Sequence, residues 1–150
     1  FAGQNMGARQ PERVSKGLGQ GVLVSLFMTA ALCVCQFLGM ELIIRAFKLD
    51  AAAAAICRQH LFASVLSEPI FAIYFPANGM FQGVGEGFHA TFYALMALGL
   101  RVVFAYSLYR TAFFGYTAIW WSQAMAWTLT LITCYAHFFR GKWKEKSLVS

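Results

Sequence analysis

A polar and aromatic stripe runs along one apolar stretch of the sequence, residues 51–80, and contains the carboxylate of Glu68. On an ideal helix, at about 100° per residue, five further side chains fall within about 80° of Glu68 on one side. They are His60, Phe71, Phe75, Asn78 and Gln82. Aromatic faces and a carboxylate attract amphipathic cations through cation–π contacts and charge. An ionisable group in such a run normally faces a cavity or a partner.

Two structural alternatives stay open for this stripe. Asn78 and Gln82 can instead bond across to neighbouring helices. Arg101, in the middle of the next apolar run, keeps its charge at every relevant pH and needs a counter-charge, carbonyls or water. Because Glu68 lies at a similar depth, we predict a structural ion pair between the two rather than contact of Arg101 with substrate.

The prolines of the same run, Pro69 and Pro76, each remove a backbone donor and leave a carbonyl unpaired one turn earlier. We therefore expect a twice-interrupted helix, which suits the wall of a transport cavity. In the first apolar run, Glu41 and Arg45 stand four residues apart and predict an ion pair within one helix.

The other reactive residue types form no recognisable constellation. No Ser-His-Asp set, Walker loop, HExxH or GxSxG occurs, so we predict no catalytic residue, no cofactor and no enzymatic activity. The four cysteines lie in or beside apolar runs and are expected to be free thiols. His89 and His137 are expected to be lone, solvated side chains near the membrane surface, and we predict no metal site.

The composition is that of a membrane protein. Of the 150 residues, 59% are hydrophobic and 12% are charged, whereas soluble domains carry roughly 25% charged residues. The apolar runs cover residues 21–47, 51–80, 88–109 and 111–139. Each reaches the roughly 20 residues that cross a bilayer as a helix. We predict an all-α integral membrane protein with four transmembrane helices.

The basic residues flank these runs, which explains the net charge of +6 without a nucleic-acid partner. Three precede the first run and four follow the last: Arg9, Arg13 and Lys16, and then Arg140, Lys142, Lys144 and Lys146. The positive-inside rule places both clusters in the cytoplasm, and an even number of spans allows it. Trp143, among the second cluster, is expected to anchor the chain at the membrane interface.

This pattern divides the chain into three parts. Residues 1–17 are expected to form a cytoplasmic helix end and loop. Residues 18–139 form the four-helix membrane part, and residues 140–150 form a cytoplasmic basic tail.

Four short motifs occur in order along nearly the whole chain. They are FAGQNMGA at residues 1–8 followed by ERV at 12–14, NGMFQGVGE at 78–86, RVVFAY at 101–106, and GYTAIWW at 115–121 followed by GKW at 141–143. Together they resemble the multidrug and toxin extrusion (MATE) family, whose motifs are F-x-G-Q-N-x-G-A, N-G-x-x-Q-G-x-G-[DE], R-x-P-x-A-Y, and G-x-x-G-I-W-W with G-x-W. Val103 stands where the family has proline, and Ala118 stands where it has glycine.

The resemblance implies a fold of twelve helices in two lobes around a central cavity. This chain would supply the end of helix 8 and helices 9 to 12 of the C-terminal lobe. The missing N-terminal lobe, the lipid bilayer and small-molecule drugs would be its partners, and the plasma membrane its location. Phe71, Phe75, Asn78, Gln82 and Glu68 would be cavity candidates, with Glu68 about one turn from an acidic residue of some members.

The function implied is antiport, in which H⁺ or Na⁺ entry drives the export of amphipathic, often cationic drugs. The site of the coupling cation would lie in the other lobe. An alternative from the residues alone is an autonomous four-helix membrane protein that acts as a dimeric exporter or an assembly subunit.

Overall fold

The described part of the chain, residues 1–111 and 113–145 of a computed structural model, is almost entirely helical and contains no strand. Its α-helices are α1 (Ala2–Gly7), α2 (Pro11–Ala46), α3 (Ala51–Gly83), α4 (Gly87–Tyr109) and α5 (Ala118–Arg140). Short 3₁₀ turns cover Gly115–Thr117 and Lys142–Glu145. Residues 146–150 of the predicted basic tail lie outside the described residues.

The helix ends follow from local sequence. α2 begins at Pro11. The first N–H groups of a helix have no partner within the helix, so the N–H that proline lacks would not have been bonded there. Helix therefore extends through most of the predicted loop at residues 1–17. Asp50 caps α3, since its carboxylate accepts a 2.7 Å hydrogen bond from the Ala53 amide. Gly85, with φ of +80°, makes the tight turn into α4 that a residue with a Cβ would resist.

The prolines of α3 do not break it. Pro69 and Pro76 lie inside one continuous helix of 33 residues. The expectation of a twice-interrupted helix is therefore wrong, because the surrounding turns keep helical geometry around each missing donor.

In the described part of the chain, three helices are long and apolar enough to cross a membrane: Pro11–Ala46, Ala51–Gly83 and Gly87–Tyr109. α5 has 23 residues, as many as α4. Its Trp, Thr, Gln and His side chains lower its hydropathy, and it is not among the three. The expectation of four spans is thus confirmed for three helices and stays a prediction for α5.

The hydrophobic core lies at one end of the bundle. It joins the start of α2, the end of α3, the start of α4 and the end of α5, with α1 packed against them. Because consecutive long helices run antiparallel, both ends of the described chain meet there, and Met6, Phe81 and Trp143 belong to the same cluster. Trp143 is fully buried, and its indole N–H donates to the Phe138 carbonyl at 3.0 Å. The expectation that Trp143 anchors the membrane interface is wrong.

The rest of the bundle exposes large apolar side chains. On α2, Leu23, Phe27 and Phe37 are 69%, 75% and 65% exposed. None of the most apolar stretch of α2 is buried within the chain. Such a surface is stable only against lipid tails or another apolar protein surface.

Two glycines bring α1 and α3 into backbone contact. A Cβ on Gly3 would stand 2.9 Å from the Gly83 carbonyl oxygen, and a Cβ on Gly83 would stand 2.8 Å from the Ala2 Cβ. Both distances are too short for carbon, so this contact needs glycine on each side. The FAGQNMGA and NGMFQGVGE segments therefore touch.

Gly83→Ala should lower the free energy of unfolding by about 1–3 kcal/mol through overpacking against α1. The preference for Ala over Gly, roughly 1 kcal/mol in a helix interior, applies only in part to Gly83 because it is the last residue of α3. Gly79→Ala is the matched control in the same helix, because a Cβ there meets nothing within 4 Å. Thermal unfolding of both variants in detergent tests this, and equal melting temperatures would contradict it.

Candidate functional site

A cavity of about 350 Å³ opens between α3, α4 and α5. Its lining includes four of the residues singled out in the sequence: Phe71, Phe75, Asn78 and Arg101. The wall is completed by five other side chains: Tyr74, Trp127, Ala94, Ala97 and Leu98. The helical stripe of α3 therefore does face an open space, and the neighbouring helices supply its other walls.

Aromatic rings form one side of this cavity. The rings of Phe71 and Trp127 lie 4.6 Å apart between centroids, inclined by 34°, and Phe71 and Phe75 lie 5.4 Å apart. Trp127 of α5 was not singled out, although a tryptophan inside an apolar run is a signal that sequence reasoning can use. Offset rings at such distances offer flat faces to a planar or cationic ligand.

Arg101 is the charged side chain in the described lining. It is exposed and belongs to α4, whereas the aromatic wall comes from α3 and α5. A guanidinium at this place repels cations and attracts carboxylates or π faces. The cavity on this chain thus combines stacking surfaces with a fixed positive charge.

Asn78 is the hydrogen-bonding centre of the site. Its amide nitrogen donates to the Ala90 carbonyl at 2.8 Å and to the Tyr74 hydroxyl at 2.9 Å, while its oxygen accepts from Gln82 at 2.9 Å. Both amide donors are used, and the side chain is 8% exposed. Asn78 therefore links α3 to α4 by a hydrogen bond, as expected if it bonds across to a neighbouring helix.

Gln82 has a smaller part in this network. Its side chain is exposed, it bonds only within its own helix, and it is not among the residues that line the cavity. Of the two amides, Asn78 alone makes an interhelical bond in the described residues.

Glu68 lies on the other side of the stripe and faces α2. Its carboxylate accepts a 2.9 Å hydrogen bond from the Gln36 side-chain amide, and the Cys33 thiol lies 3.2 Å from its second oxygen. The same thiol lies 4.0 Å from the Val65 carbonyl, whose helical partner would have been the nitrogen of Pro69. Glu68 is half-buried and does not line the aromatic cavity.

Two predicted ion pairs have different partners in the structure. The described residues contain no ion pair between Glu68 and Arg101, so that prediction is wrong. Glu41 pairs not with Arg45 but with Arg58 of α3, at 2.8 Å and 3.0 Å through two guanidinium nitrogens. In both cases a neighbouring helix supplies a closer partner than the sequence pattern suggested. Gln36, the side-chain amide within the uncharged residues 21–40, was the signal for the Glu68 pairing.

His89 and His137 are not lone side chains. Their rings lie 4.5 Å apart between centroids, near Glu86, at the end of the bundle that holds the core. Their spacing of 48 positions along the chain gave no sign of this, because only the packing of α4 on α5 brings them together.

A comparison with protein families finds one match. The family model described as MatE matches residues 1–107, which include α1 to α3 and most of α4. Neither the curated proteins nor the solved structures contain a significant match.

Asn78→Ala should lower the free energy of unfolding by about 1–3 kcal/mol, because the variant loses the interhelical bond and strips a buried hydroxyl of its partner. Gln82→Ala should change stability by less than about 0.5 kcal/mol, since that side chain is exposed. Melting temperatures of the two variants in detergent give the comparison. A larger fall in melting temperature for Gln82→Ala than for Asn78→Ala would show that the Asn78 hydrogen bond does not stabilise the contact between α3 and α4.

Proposed function

Because the MatE model matches more than half of this chain, the chain belongs to the MatE family of membrane transporters, and we propose that it forms part of a cation-coupled antiporter that exports amphipathic drugs. The observation that carries the proposal is the open cavity between α3, α4 and α5, with its wall of Phe71, Phe75 and Trp127. Apolar, aromatic lining with few polar groups is typical of sites for drug-sized ligands.

A single lobe offers only part of such a site. The cavity is open and its described lining carries a positive charge at Arg101, which is unfavourable for a cationic drug. The proposed function therefore needs negative charge from a second lobe, together with a wall that closes the cavity. The exposed apolar faces of α2 and α4 are suitable surfaces for that lobe and for lipid.

We place the core end of the bundle at the cytoplasmic side of the plasma membrane. Arg9, Arg13 and Lys16 lie at that end, as do Arg140 and Lys142 near the other chain terminus. Basic residues beside membrane helices favour the cytoplasm. The aromatic cavity then lies within the membrane, between this end and the middle of α4.

Glu68 is the carboxylate through which this chain is proposed to contribute to export. Its neighbours, Gln36 and Cys33, are neutral, so no cationic side chain among the described residues lies within hydrogen-bonding distance of the carboxylate. A half-buried carboxylate with neutral partners can attract the positively charged group of a drug. The coupling cation, H⁺ or Na⁺, is proposed to have its own site in the other lobe.

Glu68→Gln should lower the drug concentration that an efflux-deficient host survives, without lowering the amount of transporter in the membrane. The amide keeps the size of the side chain and one acceptor oxygen for Gln36, but it removes the charge and puts a donor in place of the second oxygen. Glu41→Gln is the matched control, because Glu41 is an exposed carboxylate that already pairs with Arg58. Unchanged resistance in Glu68→Gln cells would make Glu68 a bystander.

The chain by itself should not export drugs. Reconstituted alone into liposomes with an imposed H⁺ or Na⁺ gradient, it should leave a trapped cationic dye inside, because the second wall of the cavity is missing. Gradient-driven loss of dye would overturn the two-lobe proposal. That result would favour an autonomous four-helix exporter, and a dimer by light scattering in detergent would support it further.

A further inference from the structure

Three metal-ligating side chains meet where α4 begins and α5 ends. Glu86 precedes α4, His89 lies in its first turn, and His137 lies in the last turn of α5. One carboxylate oxygen and one ring nitrogen from each histidine all lie within 4.8 Å of one another. The His89 Nδ1 and a Glu86 carboxylate oxygen are already in contact. Neither the predicted drug cavity nor the Glu68 cluster includes these residues.

The surroundings hold His137 in a defined orientation. Its ring stacks on Phe81, with centroids 4.8 Å apart and planes inclined by 10°, and its Nδ1 lies 2.9 Å from the Tyr93 hydroxyl. When Nδ1–H donates to that hydroxyl oxygen, the lone pair of the imidazole is on Nε2. An outer partner on the second ring nitrogen is the usual arrangement around a metal-bound histidine.

From this geometry we propose that Glu86, His89 and His137 bind one divalent transition-metal ion of the Zn²⁺ type. Two imidazoles and one carboxylate are a common ligand set for such ions, with water in the remaining position. Bonds of about 2.0–2.1 Å in a tetrahedral site require donors about 3.3 Å apart. The side chain of His89 is 44% exposed and can rotate to close the present separation.

The neighbouring charges set the affinity. A cavity of about 410 Å³ is lined by His89 and His137 and also by Arg140 and Lys142. Their positive charges repel a dication, whereas the open space admits the water that completes its coordination. The site is therefore weaker than one without these cations, and Arg140→Gln strengthens it.

A bound ion would link α4 directly to α5 at the core end of the bundle. Because an ion that binds only the folded chain stabilises it by mass action, the metal raises the melting temperature in proportion to the logarithm of its concentration. This consequence does not depend on the transport function proposed above.

The test uses the full chain, purified in detergent without a polyhistidine tag and stripped with a chelator. Titration with Co²⁺ should give visible absorption bands of a low-coordinate complex that saturate at a single ion per chain. Zn²⁺ should displace the Co²⁺ and raise the melting temperature. His89→Ala and His137→Ala should each weaken binding by more than the roughly 10–100-fold typical of losing an outer partner. Tyr93→Phe should weaken it by roughly 10-fold.

His60→Ala is the matched control, because the third histidine packs on Trp120, away from this cluster. It should leave the affinity unchanged, and Arg140→Gln should raise it. The melting temperature of each variant without metal establishes that it folds. His89→Ala should perturb folding least, because the His89 side chain is half-exposed. Equal Co²⁺ affinity in wild type, His89→Ala and His137→Ala would overturn the proposal. So would protection against unfolding by inorganic phosphate but not by Zn²⁺, since the cavity would then be an anion site.

Discussion

The structure depends on one packed core at a single end of the bundle, where all five α-helices converge. The backbone contact between Gly3 and Gly83 lets α1 lie against the end of α3, and the buried Trp143 ring stacks on Phe138 of α5. Elsewhere the helices expose apolar side chains and touch along narrower seams. Because backbone groups in hydrocarbon must be satisfied within each helix, the helices persist along their length even where few side chains are buried. The core then determines how they are held together.

This arrangement gives a physical role to the motifs by which the family resemblance was found. Segments 1–8, 78–86 and 141–143 meet in the core, where Gly3 and Gly83 allow α1 to approach α3 and where Phe81 and Trp143 are buried. The aromatic cavity borders this core, since Tyr74 belongs to both.

The polar stripe on α3 shows what helical periodicity can and cannot predict about side-chain contacts. Phe71, Phe75 and Asn78 were correctly placed on one face, because 100° per residue follows from backbone geometry alone. Which helix each end of that face meets depends on packing. Glu68, at the edge of the stripe, accepts a hydrogen bond from Gln36 of α2, whereas Asn78 donates one to α4. The ion-pair prediction for Arg101 was wrong for the same reason, since depth in the membrane says nothing about the direction of a side chain around the helix.

The sequence by itself determined the class of the protein, its long helices and the order of its motifs, because hydropathy, charge and glycine positions act locally along the chain. Only the tertiary structure decided the contacts between helices: Glu41 with Arg58, Glu68 with Gln36, and His89 with His137. Each of these pairs joins residues 17 to 48 positions apart. Their distances depend on the rotation and offset of whole helices, which arise from the sum of many small packing contacts.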